Sequence, residues 1–418
     1  MPPGGAGGEA RSGALETVAR RTQQARRLVR EEGPRHLWDR ALARVAKGLP
    51  RPDAGIPVRR EHLLAADLTA RPSWEWSPVA AGEPLRVAFV MTPPSMGSGG
   101  HTTLLRLIQH LVRGGNTCEI YLYDVFGSDS RHFERVIRAM APDFTGRVED
   151  VRRGIGDVDA LFATAWTTAY PVYVSPSRGK RFYLVQDHEP WFYPRGSQHL
   201  LAEATYRMGF HAITAGTYLP AVLEQRYGMV ADGFPFGCDT TRYRLTGAAS
   251  RDGVAFYARQ EAPRRAFELG VLALEIFHER HPEVPIHLYG ERVSHLAFPC
   301  ISHGTVSPTR LNEIYNRCQA GLSLSLTNVS LVPHEMLAAG CVPVVNEGDQ
   351  NRQVLANDHV AYAPADPHSL ANALSTCMVG HDAAATRAAT VSASVAGVSW
   401  NEACAVFESS LRQALEGA

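Results

Sequence analysis

Residues 323–345, SLSLTNVSLVPHEMLAAGCVPVV, constrain the fold more than any other stretch of the chain. The apolar run 321–326 reads as a buried strand, and 327–330 as the polar loop that follows it. Pro333 can occupy the first turn of a helix, where its missing N–H costs nothing. Glu335 follows in that turn, helix formers run to Ala339, and Gly340 is the expected stop. Residues 342–345 then return to the sheet. Strand, loop, helix and strand make one βαβ unit. It requires a parallel sheet and sets Glu335 at a strand's C-terminal end, where such sheets bind ligands. Standing alone, Glu335 also fits a solvated acid in a helix's first turn.

The same alternation recurs along the chain. A strand is expected at 85–90, a glycine-rich turn at 92–100, a helix at 101–113 and a second strand at 118–123. Gly99 and Gly100 would let a ligand approach the backbone and the helix's free N–H groups. Their spacing is not G-x-G-x-x-G, so no dinucleotide cofactor is expected. Further strands are expected at 160–164, 181–185 and 211–214, with His211 structural. Between the last two lies QDHEPWFYP, 186–194, with two acids, a histidine and three aromatics directly after a strand end. Aromatic faces bind sugar rings and carboxylates accept hydroxyl protons. A buried aromatic plug is the alternative for this segment. A second α/β half opens at 253–259 and runs through RQEAPRR, 259–265, into a helix at 266–278. Two guanidinium groups at a helix start suit a diphosphate through forked donors, permanent charge and the helix dipole. A surface turn with basic residues is the competing reading. Another strand is expected at 286–289, and a helix at 309–317.

The 323–345 stretch resembles the donor-site motif of retaining family 4 glycosyltransferases, which have the GT-B fold. There, a serine-containing strand end and a glutamate pair spaced E-x7-E precede an Ala/Gly-rich helix and a Pro-Val-Val strand. Glu335 matches the second glutamate, while Thr327 stands in the place of the first. Gly340 and Pro343 are one residue further apart than in the commonest form. Arg259 with Arg264 resembles the family's diphosphate-binding Arg/Lys pair, and FPFGCD at 234–239 resembles the end of the interdomain crossover.

The resemblance implies an α/β protein, two Rossmann-like domains facing a cleft behind an N-terminal helical extension. The expected divisions are 1–84 (extension and linker), 85–240 (acceptor domain), 241–395 (donor domain) and 396–418 (a helix crossing back). It implies a nucleotide-sugar donor held by Gly99, Gly100, Arg259, Arg264, Tyr289, Gly290, Thr327, Ser330 and Glu335, with Glu335 on the ribose. His188, Glu189, Trp191 and Tyr193 are the expected contacts of a glycan or glycolipid acceptor. Arg259 and Glu335 with Asp187 are the expected catalytic residues, Asp187 as base if one is used. The resemblance implies neither a metal nor a cofactor.

Segment 186–194 beside a glutamate-poor donor motif is most similar to WsaF-type rhamnosyltransferases, which implies dTDP-β-L-rhamnose as donor. A 6-deoxy sugar on a 2′-deoxyribose offers fewer hydroxyls, so an acid missing at Thr327 is tolerable. A UDP- or GDP-hexose donor is the enzymatic alternative. A degenerate, non-catalytic nucleotide-sugar-binding scaffold is the alternative from another class, and retention of Arg259, Arg264 and Glu335 counts against it.

Formal net charge is zero over 418 residues, which argues against nucleic acid as a partner. Between Arg11 and Arg51, however, eleven basic residues face four acids. That arm reads either as a solvated helical extension or as a contact for an anionic membrane surface. Seven cysteines without a C-x-x-C pair read as free thiols in a reducing cytoplasm. No stretch reaches the ~18 apolar residues of a membrane span.

Overall fold

The computed structural model describes residues 55–70, 72–95, 97–127, 130–247 and 250–416; the basic arm lies outside them. Strands β1 (Arg86–Met91), β2 (Thr117–Leu122), β3 (Val148–Asp150), β4 (Ala160–Ala163), β5 (Lys180–Val185), β6 (His211–Ala215) and β7 (Ala231–Phe234) form one sheet, ordered β3-β2-β1-β4-β5-β6-β7. Strands β8 (Gly253–Ala258), β9 (Ile286–Gly290), β10 (Ile301–Gly304), β11 (Cys318–Leu322), β12 (Val342–Asn346) and β13 (Ala361–Ala363) form a second, ordered β10-β9-β8-β11-β12-β13. Every pairing is parallel. Helical crossovers leave the central strands buried on both faces, which is why β4 reads as an unbroken apolar run and β11 as a small or apolar one interrupted only by Gln319. Strand order reverses between β1 and β4 and again between β8 and β11, so each sheet has one switch point at which its loops diverge. The expected pair of Rossmann-like domains is present.

The first core is built on an aromatic ladder. Phe89, Phe162 and Phe182 sit in register on β1, β4 and β5, with ring centroids 4.9 Å apart at each step. Each such contact adds about 0.5–1.5 kcal/mol beyond area burial. Phe407, on the helix Trp400–Glu416, closes the ladder at 5.8 Å from Phe162 and from Phe234. The C-terminal helix therefore packs on the first sheet, although the chain has by then completed the second. Arg106 adds to this joint, lying over the Trp400 ring at 4.9 Å and pairing with Asp239 at 2.9 Å.

Two local expectations change. The apolar–polar alternation of 321–326 extends the strand to Leu326, but β11 ends at Leu322. Beyond it, Ser325 N–H donates to the Asn346 side chain at 2.7 Å and Leu326 N–H to the Arg264 carbonyl at 2.9 Å, so neither joins the ladder. The 55–84 stretch is no free linker. It contains a helix, Arg60–Ala65, and Trp74 packs on Tyr173 and Phe210 at 5.5 Å from each. Among the described residues no helix is long and apolar enough to cross a membrane, and all seven cysteines are free.

Candidate functional site

Loops leaving β5, β8 and β11 converge where the two sheets meet. Arg259 directly follows β8, and its Nε lies 2.9 Å from Glu291 Oε1 just beyond β9. That approach needs the tight turn at Gly290, whose φ of +108° and 2.7 Å gap between a would-be Cβ and the Ala258 carbonyl exclude other residues. Tyr289 is turned the other way, into the core, where its hydroxyl meets that of Tyr315 at 2.8 Å. It supports the strand end and is not placed to touch a ligand, which corrects its assignment as a donor contact.

Arg264 and Arg265 occupy a short 3-10 turn, Pro263–Arg265. The Arg264 guanidinium lies over the Phe192 ring at 4.3 Å, and its Nε is 3.6 Å from Asp187 Oδ2. Arg265 is directed inward and donates to Ser325 Oγ at 2.5 Å and the Asn328 carbonyl at 3.4 Å. Burial lowers its pKa, partly offset by Asp187. The neighbouring arginines thus divide their work: Arg264 faces the cleft and Arg265 props the loop after β11.

Asp187 is buried, accepting from the Thr327 hydroxyl at 2.9 Å and the His188 N–H at 2.8 Å. Desolvation raises its pKa, opposed by Arg265 and Arg264. Gln186 reaches the Gly100 carbonyl at 3.1 Å, bringing the start of the helix Gly99–Arg113 to the same place. Neither Gly99 nor Gly100 has a positive φ or a close contact at a would-be Cβ, so the backbone does not demand glycine at either.

His188 and Glu189 are corrected as acceptor contacts, because both are turned into the first domain. His188, 1% exposed, is enclosed by Trp191, Tyr206 and Tyr227, with Nε2 2.7 Å from the Tyr227 hydroxyl, and burial lowers its pKa to about 3. Glu189 accepts from Trp166 N–H at 2.8 Å and the Tyr183 hydroxyl at 3.0 Å, and desolvation pushes its pKa up to about 7. Trp191, Phe192 and Tyr193 are half-buried: Trp191 packs on His188 and under Arg226, Phe192 lies under Arg264, and the Tyr193 hydroxyl accepts from Trp166 Nε1 at 3.0 Å.

Glu335 stands apart from this cluster. It is half-buried on the helix Val332–Ala338, which Gly340 stops at a φ of +74°. Desolvation raises its pKa to about 7, against the Tyr243 hydroxyl and Arg106, which favour the carboxylate. Ser323 Oγ, Ser330 Oγ and His334 Nδ1 on the same unit are buried without a hydrogen-bond partner. The cluster's less legible members are Arg265, Ser325 and Asn328. Their only signals were an arginine doublet and small polar residues in a loop. Among the described residues no group of three His, Cys, Asp or Glu is arranged to hold a metal ion.

Comparison with known proteins matches this geometry to one family. The pattern described as "WsaF, N-terminal domain" matches residues 128–215, and "WsaF, C-terminal domain" matches 252–375; together they span just over half of the chain. The O-antigen biosynthesis protein RfbC of Myxococcus xanthus is 32% identical over 323 residues, covering 71% of this chain. Those residues are 25% of RfbC, so the chain spans about a quarter of that relative's length. Among solved structures, Anabaena Alr3699/HepE in complex with UDP-glucose aligns with a TM-score of 0.59 at 13% identity, over 79% of this chain and 99% of that one. TarM of S. aureus aligns at 0.63 and 6% identity, over 80% and 100%. Two parallel-sheet domains joined this way are the GT-B fold of those glycosyltransferases, and the chain belongs to the WsaF family.

Proposed function

We propose that this chain is a glycosyltransferase of surface-polysaccharide assembly, transferring a sugar from a nucleotide donor to a glycan or glycolipid. The observation that carries the reading is the placement of Arg259 and Arg264 at the second sheet's switch point. Arg264 lies 3.6 Å from an acid supplied by the first domain. Fixed guanidinium groups there suit a diphosphate and the charge that builds on it as it leaves. The RfbC relationship supports the polysaccharide context, and HepE, crystallised with UDP-glucose, supports the donor class. In this reading Glu335 accepts the ribose hydroxyl, and Gly290 and Ser330 line the donor pocket beside Gly99 and Gly100; Thr327, 2% exposed with its hydroxyl on Asp187, is corrected as a donor contact. Trp191 and Tyr193 offer faces to the acceptor. Transfer retains configuration, the leaving phosphate can take the acceptor's proton, and Asp187 is the protein base if one is used. No metal or cofactor takes part. The donor is dTDP-β-L-rhamnose.

A thermal-shift panel of dTDP, UDP, GDP and ADP tests this, followed by turnover of the matching sugar nucleotides. A ligand at 100 times its Kd adds about 2.7 kcal/mol. A response to dTDP with slow hydrolysis of dTDP-rhamnose is expected. A response to UDP or GDP alone discards the rhamnose donor, and silence across the panel discards the enzyme in favour of a scaffold.

A further inference from the structure

Thr327 and Asn328 are consecutive on the loop after β11, and they meet Asp187 and Gln186, consecutive on the loop after β5. The Thr327 hydroxyl donates to Asp187 Oδ2 at 2.9 Å. The Asn328 amide donates to the Gln186 carbonyl at 2.8 Å and the Ala215 carbonyl at 3.0 Å. Asn328 is saturated: its Oδ1 accepts from Val329 N–H at 2.9 Å, and its carbonyl accepts from Arg265 and the Ser325 hydroxyl. Thr327 is 2% exposed, Asn328 1% and Asp187 9%. Neither sheet needs these bonds for its own ladder. Buried polar groups that satisfy one another across two loops specify a single relative placement, because any slip leaves several of them unpaired.

We infer that Thr327 and Asn328 are positioning residues, which fasten the second domain's loop to the first domain and hold the Asp187 carboxylate beside Arg264. The inference rests on the nucleotide-sugar reading above for its link to transfer, and on the hydrogen bonds alone for the fastening. It also accounts for the threonine. An acid at 327 would set a second carboxylate against Asp187 and open the seam by like-charge repulsion, whatever the donor sugar.

Three substitutions test this. Thr327→Val deletes the hydroxyl at nearly constant volume, Thr327→Ser keeps it, and Asn328→Ala removes the pin. With a sugar nucleotide that the wild-type chain turns over, Thr327→Val and Asn328→Ala should lower kcat about tenfold or more with donor KM within about threefold. Thr327→Ser should keep wild-type kcat. Thr327→Val should also shift the acid limb of the pH–rate profile upward, since Asp187 loses a bond that favours its charged form. A role confined to folding would leave that limb in place, and unchanged kcat and pH profile in Thr327→Val would overturn the inference. Urea unfolding of Asp187→Ala, Thr327→Val and the double variant needs no activity. Coupling of at least about fivefold in the unfolding constant supports the seam, and additivity overturns it. Coupling in a chain that binds no sugar nucleotide would uphold the fastening and overturn its part in transfer.

Discussion

After β5, two side chains of the first domain's loop turn back into that domain, while Asp187 and the Gln186 carbonyl meet Thr327 and Asn328 of the second. Glu189 meets Trp166 N–H and the Tyr183 hydroxyl, and His188 meets Tyr227. After β11, the second domain treats the equivalent strand end differently. Ser323 Oγ, Ser330 Oγ and His334 Nδ1 are buried there without a partner, and Glu335 is desolvated with its pKa raised to about 7. Both loops leave parallel strands toward the cleft; the first leaves His188 Nδ1 buried without a partner, and the second domain's loop and helix leave three such atoms. A buried polar atom without a partner costs about 1–3 kcal/mol, so a fold keeps several together only where something else makes them useful. Unpaired polar atoms are thus more numerous on the second domain's unit, which is where binding capacity is expected.

The strongest test of that division is Arg259→Ala. Nucleoside diphosphate affinity, measured calorimetrically, should fall a hundredfold to a thousandfold, roughly 3–4 kcal/mol, while circular dichroism stays native. Unchanged affinity would remove the second domain's claim to the diphosphate. On the opposite wall, Glu189→Ala should destabilise the fold by about 2–3 kcal/mol in urea, because two buried donors lose their acceptor. Glu335→Ala should cost less than about 1 kcal/mol, and equal losses at both sites would erase the contrast.

Proton linkage sharpens it further. If Glu335 accepts ribose hydroxyls as a carboxylate, nucleotide affinity should weaken as pH falls through about 7, by about tenfold between pH 8 and 6. A flat profile would detach Glu335 from the ligand. The stability effect has the opposite sign. Burial raises this carboxyl above its ordinary 4.5, so the folded chain keeps a proton that the unfolded chain releases, and stability from this group declines as pH rises from 4.5 toward 7. Ser330→Ala should have the smallest effect, within about 0.5 kcal/mol on stability, since it removes a hydroxyl with no partner to lose. A nucleotide affinity loss of about threefold would place that hydroxyl on the ligand.

Much of this architecture was legible before any coordinates. Apolar runs bounded by glycine and proline pointed to the inner strands of both parallel sheets but not to the edge strands β3, β7, β10 and β13, and 323–345 gave the loop, the helix around Glu335 and its stop at Gly340. These succeed because strand, turn and helix preferences act over a few residues. The site was legible by residue type but not by orientation. His188, Glu189 and Tyr289 carry the right chemistry at the right strand ends, yet each points into a core. Gly99 and Gly100 were expected to let a ligand approach the backbone, and the backbone itself demands glycine at neither position.

By itself, then, the sequence determined the fold class, the family and the strand ends at which chemistry gathers, because local periodicity and motif spacing are written in neighbouring residues. Only the tertiary structure decided that Arg264 faces the cleft while Arg265 braces a loop, and that Asp187 is held by Thr327. Those outcomes depend on residues separated by 140 positions for Asp187 and Thr327 and by 60 for Arg265 and Ser325. Which of two adjacent guanidinium groups is buried is set by the acceptors that another part of the chain brings to it, and no local pattern records that meeting.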